Sequence, residues 1–116
     1  MRASIMRYLL LLATLPLAAQ QHTVDRPFVA VTVAQFGSAT WDIETTQRCI
    51  RAGTCREGNP LMGQSRAQEY AVAFGGEALV SVLAYKLKEH GERGWWILPG
   101  VTIGMHGALG ELNLRF

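Results

Sequence analysis

The chain has 116 residues and a mass of 12.8 kDa, the length of one domain. Apolar residues make up 49% and charged residues 17%, a balance that excludes a disordered chain. Two cysteines are too few for a disulfide scaffold, and a net charge of +2 is too weak to mark a nucleic-acid binder.

Residues 1–20 read MRASIMRYLLLLATLPLAAQ, with Arg2 and Arg7 ahead of an apolar run and small Ala18-Ala19 after it. That order is the layout of a secretory signal. We expect a signal peptide over 1–19, with an uncleaved signal anchor as the alternative. The apolar run is short for a span, which needs about 20 residues. A polar linker over 20–27 then leads into a single helical domain over 28–116. Export to or across the bacterial inner membrane follows.

Three apolar segments come next, near 28–49, 67–87 and 95–114. A helix of about 20 residues reaches about 30 Å, the thickness of the hydrocarbon layer. Each segment nevertheless carries ionisable groups: Asp42 and Glu44, then Glu69 and Glu77, then His106 and Glu111. One reading is an inner-membrane protein with these groups turned inward. The other is a soluble periplasmic three-helix domain that binds a partner.

Two details of the third segment point to the membrane. Trp95-Trp96 at its start suits an interfacial aromatic belt. Gly100, Gly104 and Ala108 recur every four residues, a face that lets helices pack closely in lipid. The expected fold is therefore all-α, a three-helix, up-down-up, transmembrane bundle after the signal. With the N-terminus inside, Arg2, Arg7, Arg48, Arg51, Arg56, Arg66 and Arg115 would be cytoplasmic, against Arg26, Lys86, Lys88 and Arg93 outside. That bias turns the 50–66 connection toward the cytoplasm.

Helical phase at 100° per residue sorts the polar groups onto faces. Gln35, Ala39, Asp42, Thr46 and Cys49 share one face of the first segment. Glu69, Ala73 and Glu77 align on the second, and Thr102, His106, Gly110 and Asn113 on the third. In an up-down-up arrangement Asp42, Thr45, Thr46, Glu57, Asn59, Glu69, His106, Glu111 and Asn113 gather at one side. Asp42 with His106 is the pair we expect to meet, since a carboxylate can orient or neutralise an imidazole. Ionisable groups within a membrane pair or line a site.

The runs WDIETT and REGNPLMG, with a histidine and an asparagine near the C-terminus, resemble a family of small bacterial membrane proteins catalogued as a domain of unknown function. The matching positions are Asp42, Thr45 and Thr46, then Glu57, Asn59 and Pro60, and finally His106 and Asn113. Leu112 stands where the tightest members carry a histidine beside the asparagine. The resemblance covers about residues 28–114 and implies a multi-helix membrane fold without implying an activity. Read by itself, the loop turns at Asn59, because Pro60 moves it out of helical geometry.

Cys49 and Cys55 flank a Gly-containing loop that would allow a disulfide. That bond needs an oxidising compartment, whereas the arginine bias puts the loop in the cytoplasm, so both cysteine states stay open. Ser38, Ser65 and Ser81 lack a nucleophile-elbow context, and GVTIGMHGALG lacks the Lys-Ser/Thr ending of a phosphate loop. The expected function is a non-enzymatic accessory or self-associating membrane component, partnered by the lipid bilayer and by a second copy or another membrane protein. No cofactor is expected. An embedded metal site or hydrolase using Asp42, Glu57, His106 and Glu111 is the alternative.

Overall fold

The computed structural model describes residues 23–55 and 65–116. They form three helices, with no strand among the described residues: α1 (Arg26–Arg51), α2 (Arg66–Glu89) and α3 (Ile97–Asn113). The expected signal segment over 1–19 lies outside the described residues, as do Glu57 and Asn59.

Local chemistry accounts for where the helices begin and end. Asp25 caps α1, its Oδ1 accepting from the Phe28 amide at 3.0 Å, and Pro27 sits in the first turn, where a missing amide costs nothing. Ser65 caps α2 in the same way, accepting from the Gln68 amide at 3.2 Å. Pro99 is likewise confined to the first turn of α3. Helices α1 and α2 each stop against a glycine with positive φ, Gly53 at 74° and Gly91 at 78°. Basic residues close both helices, Arg48 and Arg51 on α1, Lys86 and Lys88 on α2, where the negative dipole end favours them.

Contacts give the helix directions. Asp25, before α1, meets Lys88 near the end of α2, and Glu44 near the end of α1 meets Arg66 at the start of α2. These two helices are antiparallel. Phe28 stacks near Trp95, while Asn113 reaches Thr46, so α1 and α3 run parallel. The order is up-down-up, with α1 packed mainly on α3 and next on α2.

The interior is polar and the exterior apolar. Gln35, Thr45, Thr46, Gln47, Glu69, Glu77 and His106 are buried in this bundle, beside only a few small or aliphatic residues such as Ala39, Ile43 and Ala73. Outside, Val33 is 67% exposed, Leu79 62% and Val101 60%. A protein folded by water places these classes the other way round.

Among the described residues, α2 alone is long and apolar enough to cross a membrane by length and composition. At 17 residues α3 is about 25 Å long, a little under the hydrocarbon thickness.

Candidate functional site

The inward faces carry a polar column. On α1 it runs Gln35, Ala39, Asp42, Thr46, Cys49, a spacing that keeps one side of the helix on the bundle axis. On α2 it is Glu69, Ala73, Glu77 and Ala84, all buried. On α3, His106 and Gly110 are buried, with Thr102 and Asn113 half-buried beside them.

At mid-bundle the imidazole of His106 lies between two carboxylates. Its Nδ1 is 2.7 Å from Asp42 Oδ2 on α1, and its Nε2 is 2.9 Å from Glu77 Oε1 on α2. The other Glu77 oxygen accepts from Gln35 Nε2 and from Thr102 Oγ1 at 3.1 Å. Gln35 Nε2 is also 3.0 Å from the Glu77 backbone carbonyl, and Ser81 Oγ donates to Gln35 Oε1 at 3.3 Å. One imidazole thus ties all three helices together.

Two further layers lie toward the end of α1. Asn113 Nδ2 donates to Thr46 Oγ1 at 2.7 Å and lies 3.1 Å from Thr45 Oγ1, with Asp42 Oδ1 at a longer 3.4 Å. Gln47 Nε2 then donates to the buried Glu69 at 2.8 Å. Near the surface, Glu44 accepts from Tyr70 Oη at 2.8 Å and pairs with Arg66 at 3.0 Å. Each such layer satisfies groups that would otherwise cost about 1–3 kcal/mol apiece.

Asp42, Thr46, His106 and Asn113 are gathered into one cluster. Glu111 is not: it is exposed, because it lies about 140° around α3 from His106 at 100° per residue. Sharing an end of the bundle did not put it on the inner face.

The row Gly100, Gly104 and Ala108 does not pack against another helix of the chain. Nothing lies within 4 Å of a Cβ built at Gly104, Ala108 is exposed, and Gly100 faces only Trp96 at the N-cap of its own helix. Within the chain, close packing falls instead to Gly110, where an added Cβ would run into the Trp41 ring. The reason is phase, since Gly104 sits nearly opposite His106 on α3.

Glu77, Gln35 and Thr102 complete the His106 site, although sequence reasoning centred it on Asp42 alone. The available signal was the Glu69–Ala73–Glu77 row, a carboxylate eight residues along from another on the same helix face in an apolar stretch. Cys49 and Cys55 are joined in a disulfide, with Cα atoms 5.4 Å apart.

Chemically the site is a chain and not a cage. Asp42 and Glu77 approach opposite edges of the imidazole, so the three groups do not converge on a common point. Among the described residues, no group of three or more His, Cys, Asp or Glu is placed to hold a metal ion.

Compared with known families, curated proteins and solved structures, the chain matches no family model, no curated protein and no solved structure.

Proposed function

We propose that this chain is an inner-membrane helical component without enzymatic activity, an accessory or self-associating bundle whose polar interior clasps its three helices together. The observation that supports this reading is the inverted burial: Gln35 and Glu69 are 1% and 0% exposed, while valines and leucines cover the outside. Lipid is the surrounding in which that arrangement is favourable, because hydrocarbon solvates the outer aliphatic residues and the inner polar groups satisfy one another.

Helix α3 falls short of a span by length, at 17 residues, and α1 by composition, a measure that averages over every face. Lipid meets only the outer one. Among the ionisable groups of α1 and α3, Asp42 and His106 meet each other, Glu44 pairs with Arg66, and Glu111 lies in the last turn of α3. At the far end, Phe28, Tyr85 and Trp95 cluster with Lys88, whose Nζ is 5.5 Å from the Trp95 ring centre, the composition of a membrane interface. The resemblance to small bacterial membrane proteins agrees with this.

Alkaline carbonate extraction of membranes containing the full chain tests the reading. Retention in the membrane pellet is the expected result. Release into the supernatant would overturn it.

A further inference from the structure

We propose that Asp42, His106 and Glu77 form a buried proton-binding site, in which the imidazole passes a proton between the two carboxylates. The two short contacts, at 2.7 and 2.9 Å, are hydrogen bonds only if each contains a proton. A neutral imidazole has one N–H and one lone pair, and an ionised carboxylate only accepts. With both carboxylates ionised and the ring neutral, one ring nitrogen would point its lone pair at a carboxylate lone pair. The triad therefore holds one proton more than that state, and its total charge is minus one.

That extra proton has three resting places. It makes an imidazolium between two carboxylates, or it sits on Asp42 Oδ2 with the ring protonated at Nε2, or on Glu77 Oε1 with the ring protonated at Nδ1. Moving from the second state to the third shifts one proton in each hydrogen bond: Asp42 gives its proton to Nδ1, and Nε2 gives its own to Glu77. Nothing else is consumed or released, and charge moves from one side of the ring to the other.

Among the described residues, no Lys or Arg pairs with either carboxylate. The ring meets Asp42 on α1 and Glu77 on α2, and the groups bonded to those carboxylates are neutral: Gln35 on α1 with Thr102 and Asn113 on α3. Lys88 and Arg66 pair with Asp25 and Glu44 instead. Asp42 is the more open end of the triad, its side chain 13% exposed against 4% for Glu77. Gln35 and Thr102, donating to Glu77, hold the inner terminus in place. This inference goes beyond the clasp and holds whatever surrounds the outer face.

The test is nuclear magnetic resonance on the full chain in lipid nanodiscs, with ¹⁵N in the histidine rings and ¹³C in the carboxyl groups. His22→Gln and His90→Gln leave His106 as the sole reporter. At neutral pH the triad should carry two protons in all, and Glu77→Gln should lose one of them, because the new amide can donate to a neutral ring. Circular dichroism checks that the variant keeps its helices, and Asp42→Asn supplies the same readout from the other side. If neither variant folds, the wild-type count decides. A neutral ring between two ionised carboxylates, or an unchanged count in the folded Glu77→Gln chain, would overturn the proposal.

Discussion

Asp42 on α1 and His106 on α3, separated by 64 residues, meet at 2.7 Å in the middle of the bundle. The pair fixes the rotation of both helices at once, since a turn of either by one residue would move its polar group to the apolar exterior. Glu77 repeats the constraint for α2 through the other ring nitrogen. The register of a small bundle, with little aliphatic packing inside, is set by these polar contacts.

Removing the ring should therefore cost more than removing either carboxylate. His106→Ala leaves Asp42 and Glu77 facing an unfilled space, whereas Asp42→Ala abandons one ring nitrogen and weakens the Asn113 layer. In a membrane setting each lost contact is worth about 1–2 kcal/mol. Denaturation in mixed detergent should rank the variants with His106→Ala least stable and Thr46→Ala nearest the wild type.

Two glycines of α3 should respond oppositely to the same change. Gly104 has open space around a new Cβ, so Gly104→Ala should be neutral or stabilising by up to about 1 kcal/mol through lower chain entropy. At Gly110 the methyl group would meet the Trp41 ring, and displacing that ring should cost about 1–3 kcal/mol. Thermal unfolding of the two variants side by side checks the contrast.

Asp25 links the start of α1 to the end of α2 and lends the fold a pH dependence. The hydrogen bond from Lys88, at 2.6 Å, holds its carboxyl below the ordinary 3.8, and the Phe28 amide adds to this. A depressed value in the folded state means that the contribution is present above 3.8 and is lost as pH falls through the depressed value. In Lys88→Met the Asp25 carboxyl should titrate closer to 3.8, which carboxyl ¹³C shifts would register.

The disulfide bears on orientation. Flanking charge is balanced among the described residues: Arg48, Arg51, Arg66 and Arg115 stand at one end, and Arg26, Lys86, Lys88 and Arg93 at the other. Cys49–Cys55 sits at the first of these ends, and an intact bond there requires the oxidising side. We expect that end to face the periplasm, contrary to the arginine bias of the whole sequence. Maleimide labelling of intact cells should modify neither cysteine until a reductant is added. Labelling that needs no reductant would contradict the expectation.

Much of the site was legible as helical phase. The rows Gln35–Ala39–Asp42–Thr46–Cys49 and Thr102–His106–Gly110–Asn113 follow from a period of 3.6, which holds inside any helix. Phase cannot say which row turns inward, and on α3 two rows competed. The Gly100–Gly104–Ala108 row has the small residues that packing favours, yet His106 won the interior because an imidazole is costlier to leave in an apolar exterior than a glycine is to waste. Glu111 shows the limit of connectivity, which selects an end of the bundle but not a face. Glu77 was visible as a mid-segment carboxylate, and its bond to the second ring nitrogen depended on how α2 packs against α3, which local pattern does not encode.

The account rests on the outer face being turned to lipid. Nitroxide labels at Val33, Leu79 and Val101, placed singly in a Cys49→Ala, Cys55→Ala background and reconstituted in lipid, measure this through collisions with oxygen or with a water-soluble nickel complex. The account predicts that all three sites, one on each helix, favour oxygen strongly over the nickel complex. Free access of the nickel complex to these three positions would contradict it.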